Sequence, residues 1–124
     1  FNGHTGPFLQ YTHARICSIL RKAGEVGAWS WEDVRLAPKE KEVIKVLAKF
    51  PETVQKAADD QNPSDVANYL YDLAKTYNGF YQVHSVLNAE TPHVAAFRVT
   101  LSRQVAGVLQ RGLSLMGITA PEKM

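Results

Sequence analysis

Phe8, Tyr11 and Arg15 follow the spacing i, i+3 and i+7, which places three side chains on one face of an α-helix. Two flat rings beside a guanidinium form a surface on which unstacked bases can lie. Such stacking is worth ~1–3 kcal/mol per base. The same residues also fit a second buried stripe, with Arg15 reaching past it to water.

Elsewhere the chemistry is thin. His4, His13, His84 and His93 have no His, Cys, Asp or Glu partner at metal-ligand spacing on their own helix. His13 and His84 fall in helical stretches and are expected to be packed or hydrogen-bonded. Asp59 and Asp60 are adjacent, so they do not share a helical face and read as a solvated helix end. Cys17, the single cysteine, excludes an intrachain disulfide and suits a small helix filler in a reducing compartment. No GxxxxGK[ST], GxGxxG or HExxH motif is present. No nucleophile, base and orienting group occur together. A formal net charge of +2 permits nucleic-acid binding without arguing for it. Recognition of a nucleic acid must then lean on a few placed groups or on a larger parent protein.

The pattern predicts five helices and no strand. The first runs from Pro7 to Ala23, closes at Gly24, and buries Leu9, Ile16, Ile19 and Leu20. A connector over 24–37 is pinned by Trp29 and Trp31, which serve as core anchors or, less simply, as base-stacking groups. From Pro38 to about Phe50, Val43, Ile44, Val46 and Leu47 form a dry face, and Glu40, Lys41, Glu42, Lys45 and Lys49 a wet one. Pro51 breaks this helix, and a short one follows to about Asp60. Asn62-Pro63-Ser64-Asp65 starts a long helix to about Leu87, with Val66, Leu70, Leu73, Tyr77, Phe80 or Tyr81, and His84 on its apolar face. Gly79 inside it costs ~1 kcal/mol against alanine, which close approach by a neighbouring helix would explain. Glu90-Thr91-Pro92 opens a last helix over 92–116, facing Ala95, Val99, Ala106, Leu109, Leu113 and Met116 inward before Gly117 ends it.

Short loops make these helices antiparallel neighbours, so the expectation is an all-α antiparallel bundle in one domain spanning 1–124. No apolar run reaches the ~18 residues of a membrane span, and no signal-peptide pattern opens the chain. Phe1 in place of an initiator Met suggests a piece of something longer.

Three segments carry a family resemblance. Thr5-Gly6-Pro7-Phe8-Leu9-Gln10-Tyr11-Thr12-His13-Ala14-Arg15, the stretch Val66 to Tyr81, and the ending Gly112 to Met124 resemble, in order, parts of the C-terminal anticodon-binding (DALR-type) domain of bacterial arginyl-tRNA synthetases. The resemblance implies a helical bundle that follows a class I catalytic domain and binds the anticodon loop of arginine tRNA. The family's Tyr-x-x-Tyr-x-x-x-Arg face falls on Phe8, Tyr11 and Arg15, with a hydroxyl lost at the first position. An aromatic near the end of the long helix falls at Ser85, so stacking there moves to Tyr81 or His84. Met124 corresponds to the family's terminal residue, set against the loop bases, where its side chain and carboxylate can close a pocket around the cytosine central to arginine anticodons. The implied parent is a monomeric, cytoplasmic arginine–tRNA ligase that uses ATP with magnesium in a catalytic domain. The His-Ile-Gly-His and Lys-Met-Ser-Lys-Ser signatures of that domain are absent here. This stretch by itself is expected to be non-catalytic, without cofactor, metal or membrane contact. A helical protein-interaction bundle, docking a partner helix on its aromatic face, is the alternative.

Overall fold

The computed structural model describes residues 5–124; His4 lies outside the described residues. Within them are five α-helices and no strand. The helices are α1 (Thr5–Ala23), α2 (Pro38–Ala48), α3 (Phe50–Asp60), α4 (Ser64–Val83) and α5 (Pro92–Leu115), with a 3-10 turn at Trp31–Asp33. None of them is long and apolar enough to cross a membrane.

Helix α4 packs against each of the other four. Its sequence supplies apolar side chains on more than one face to do so: Val66, Tyr69, Leu70, Leu73, Tyr77 and Phe80 are all buried. With Leu9, Ile16, Val43, Val99, Val105, Leu109 and Leu113 they form one continuous core. Burying each such side chain contributes ~1.5–3 kcal/mol. Phe80 takes the core position at the end of α4 and leaves Tyr81 partly exposed.

Close approach between helices occurs at Gly112, not at Gly79. A Cβ on Gly112 would stand 2.6 Å from both Leu70 methyl carbons, so α5 meets α4 there without a side chain between them. A Cβ on Gly79 would meet only Lys39 Nζ at 3.8 Å.

Glu40 also departs from expectation. Its neighbours Lys41, Glu42 and Lys45 are exposed, but Glu40 is buried. It is the third residue of α2, so Oε1 reaches back to accept the Ala37 amide at 2.8 Å. Its Oε2 accepts from Arg98 Nε at 3.0 Å, and both side chains are at most 5% exposed. Arg98 on α5 further donates Nη1 to the Ser85 carbonyl at 2.9 Å and Nη2 to His84 Nδ1 at 3.4 Å. Those bonds hold His84 in an extended conformation (φ −119°, ψ 128°). α4 therefore stops at Val83, short of Leu87, and His84 is a capping residue instead of a helical one. Val86, in the loop, turns into the core.

Pro51 does not end a helix but sits in the first turn of α3, where no amide bond is lost; the break is Lys49 alone. In the connector, Trp29 packs 5.0 Å from Phe97 and donates Nε1 to Thr100 Oγ1 at 3.2 Å. Trp31 rests edge-on against Trp29 but is 61% exposed, so one indole is the anchor and the other only leans on it. After α5, Gly117 takes φ +73°, and the Ile118 and Gly117 amides close back on the Leu113 and Ser114 carbonyls. That turn redirects the chain so that residues 118–124 return along α1.

Candidate nucleic-acid interface

Three backbone carbonyls of the returning tail are held by α1 side chains. Gln10 Nε2 donates to Thr119 O at 2.9 Å, and Arg21 Nη1 donates to Glu122 O at 3.2 Å. His13 is buried with Nδ1 2.8 Å from Pro121 O; a carbonyl only accepts, so Nδ1 carries the proton. Ile118 and Ala120 pack against the core. The tail thus delivers Lys123 and Met124 beside the middle of α1.

A cleft of about 430 Å³ opens there, lined by α1, Tyr81 of α4, and Lys123 and Met124 of the tail. Its α1 wall includes Tyr11, Arg15 and Lys22. No acidic side chain lines it, whereas Arg15, Arg21, Lys22 and Lys123 do. Tyr11 is 50% exposed and Met124 70%. The Arg15 guanidinium carbon lies 5.1 Å from the Tyr11 ring centre and 4.9 Å from that of Tyr81, so the cation faces both rings. Arg15 Nη1 donates to Asn78 Oδ1 at 2.7 Å. Among the described residues no carboxylate lies within ion-pair distance of Arg15.

A second depression of about 430 Å³ shares Ile19, Lys22 and Tyr81 with the first and extends to His84, Ser85 and Asn88. His84 stacks on Phe80 with ring centres 5.6 Å apart, and Ser85 Oγ accepts the Asn88 amide at 3.0 Å. A third, of about 600 Å³, shares Lys22, Leu87 and Asn88 and reaches the start of α5. Lys22 therefore borders all three.

Of the seven residues singled out in the sequence, Tyr11, Arg15, Tyr81 and Met124 meet in the cleft, and His84 and Ser85 line the depression next to it. Phe8 stands apart. It packs edge-on against Tyr71 at 5.6 Å, and Lys75 Nζ lies 5.2 Å from the Tyr71 ring centre on the other helix. Lys22 was not among those seven, although it continues the Tyr11, Arg15, Ser18 row at helical spacing. Nor was Asn78, a polar residue one turn before Tyr81 whose local spacing gives no signal. Cys17 is half-buried, its sulfur 3.7 Å from His13 Nδ1, and burial pushes its thiol up, which suits a filler rather than a nucleophile. No group of three or more potential metal ligands occurs among the described residues.

The family model described as the DALR anticodon binding domain matches residues 9–124. The chain belongs to this family of anticodon-binding domains. Its full length is 46% identical to part of an arginine–tRNA ligase of Bacteroides fragilis and 48% identical to part of one from Flavobacterium psychrophilum. The matched parts are 21% and 20% of those proteins, so the chain spans about a fifth of the length of the relatives it matches. The arginyl-tRNA synthetase of Thermus thermophilus superposes with a TM-score of 0.91 at 40% identity, over all of this chain and 22% of that one. An anticodon-binding domain is a tRNA-binding module, and the comparisons lend nothing to a partner-helix docking bundle.

Proposed function

We propose that this DALR domain reads the anticodon loop of arginine tRNA for a cytoplasmic, monomeric arginine–tRNA ligase of which it forms part. ATP, with magnesium, serves the ligation step in the portion of that parent outside this stretch. One observation carries the reading: a cleft free of acidic side chains in which Arg15 faces two exposed tyrosines and Met124 stands at the rim. A flipped-out base of the loop, the central cytosine, enters this cleft and stacks on Tyr11 or Tyr81, with the Met124 thioether against its other face. Arg21, Lys22 and Lys123 meet the phosphates on either side. Lys22, bordering all three depressions, lies where the strand passes from the cleft towards His84 and Ser85. Phe8 contributes from outside the cleft through the Tyr71 edge.

The test is fluorescence anisotropy of a labelled RNA hairpin carrying the anticodon loop, titrated with the chain at several salt concentrations. Affinity falls as salt rises, because phosphate contacts release counterions. Tyr81→Ala and Tyr11→Ala each weaken binding by ~1–3 kcal/mol. Absence of binding at low salt, or equal binding after every loop base is replaced by an abasic site, overturns the proposal.

A further inference from the structure

We infer that Asn78 is a positioning residue: its side-chain amide fixes the Arg15 guanidinium between Tyr11 and Tyr81 in the form that receives RNA. The inference rests on the RNA-binding reading above.

Asn78 has one carbonyl oxygen and one NH2 group on its side chain. Nδ2 donates to Thr12 Oγ1 at 3.0 Å and to Ala74 O at 2.9 Å. Thr12 is fully buried, and its hydroxyl donates onward to the Phe8 carbonyl at 3.0 Å. That proton is therefore committed, and Thr12 Oγ1 faces Asn78 as an acceptor. Two acceptors on one side of the amide fix which end is NH2, and Oδ1 has to point at Arg15. Reversing the amide would set its oxygen against two acceptors and its NH2 against a guanidinium that only donates.

The bond from Arg15 Nη1 to Oδ1, at 2.7 Å, is short and charge-assisted. Nη2 has the Tyr11 hydroxyl at 3.4 Å, which adds a weak second tether. An arginine left untethered samples many rotamers, and ordering it on binding lowers affinity. Asn78 removes that cost beforehand, and it does so with a neutral acceptor. A carboxylate in its place would hold the guanidinium more tightly but neutralise it. Held by an amide, Arg15 stays in register with both rings and keeps its charge for a phosphate or a base edge.

A double-mutant cycle on the chain of residues 1–124 separates positioning from mere structural support. The readout is the dissociation constant for the anticodon-loop hairpin, with urea unfolding measured in parallel. Arg15→Ala is expected to weaken binding about tenfold or more, and Asn78→Ala by about fivefold, within the range of single stacked or charged contacts. With Arg15 already alanine, adding Asn78→Ala should change affinity less than about twofold, because the residue it orients is gone. Thr12→Val, nearly isosteric, loses one of the acceptors that orient the amide and should weaken binding about twofold to threefold, again only when Arg15 is present. Should Asn78→Ala and Thr12→Val weaken binding by the same factor with and without Arg15, their role is structural and the inference is overturned. It is equally overturned if both variants bind as the original chain does. If the original chain itself binds no hairpin, the RNA-binding reading has failed, and this inference falls with it.

Discussion

Arg15 and Arg98 show how one side-chain type is put to opposite uses in two helices of the same bundle. Arg98 is 5% exposed at its side chain and meets two carboxylates, Glu40 at 3.0 Å and Glu90 at 3.4 Å. Its remaining donors go to Ser85 and His84, so its charge is spent inside the protein, tying α2 to the loop before α5. Arg15 is held by an amide and two aromatic faces, none of which carries charge. The difference teaches that the partner, more than the arginine, separates fastening from binding. A carboxylate neutralises the cation and locks it in place. Neutral acceptors hold it and leave its field directed at a ligand.

The sharpest way to break this contrast is Arg98→Met. It leaves Glu40 buried without its cation, and a loss of roughly 3–5 kcal/mol in unfolding free energy is expected. Arg15→Ala should leave the urea midpoint nearly unchanged while RNA affinity falls. Equal losses of stability from the two would erase the distinction. Gly112→Ala probes the interior without touching charge. The added methyl has to displace Leu70, at an expected cost of about 1–3 kcal/mol, with RNA affinity unaffected once the chain is folded. A stability equal to the starting chain would mean that α4 and α5 move apart freely.

Tyr77 and Tyr81, one turn apart with rings stacked at 6.4 Å, repeat the contrast on a smaller scale. Ser102 Oγ donates to Arg98 O at 2.8 Å, so the Tyr77 hydroxyl, 2.8 Å from the same oxygen, donates to it. Tyr77→Phe should therefore lose about 0.5–1.5 kcal/mol at neutral pH. Burial pushes Tyr77 up to about 12 from an ordinary 10.0, and burial does the same to Tyr69. The unfolded chain releases these protons first. The stability tied to the neutral hydroxyls is complete below about pH 10 and is lost as pH rises towards 12. Urea midpoints of Tyr77→Phe should fall less steeply over that window than those of the original chain; parallel curves would remove Tyr77 as a source of alkaline sensitivity.

The smallest effect is expected from Glu90→Gln. The Glu90 carboxyl is held below its ordinary value by its own backbone amide and then by Arg98. Its contribution is present above the usual carboxylate range and is lost as pH falls through the lowered value. The variant should show a slightly shallower loss of stability on acidification, read from thermal melts across acidic pH. An unchanged slope would confine Arg98's effective counter-charge to Glu40.

Much of this was legible in one dimension. The row Tyr11, Arg15, Ser18, Lys22 lies at helical spacing, and Gly117 followed by Ala120 to Met124 marks a turn and a tail. Local spacing does not show a feature that depends on a partner far along the chain, although the family resemblance already sets Met124 beside the face of Tyr11 and Arg15, where the cleft is found. Glu40 read as a wet-face residue because its sequence neighbours are wet; Arg98, 58 positions later, takes it inside. Gly79 stands inside the long helix α4, yet the helix crossing falls on Gly112 because Leu70 lies opposite it.

By itself the sequence determined an all-helical chain, the edges of its helices to within a few residues, and the face on which Tyr11 and Arg15 sit. These follow from local spacing, capping residues and the hydrophobic period, which act within one or two turns. Only the tertiary structure decided that Tyr81 and Met124 join that face while Phe8 does not, that Asn78 holds Arg15, and that one arginine is neutralised while the other is left charged. Each of those outcomes needs two segments brought within about 3–6 Å, and hydrogen bonds, ion pairs and ring contacts act only over that range.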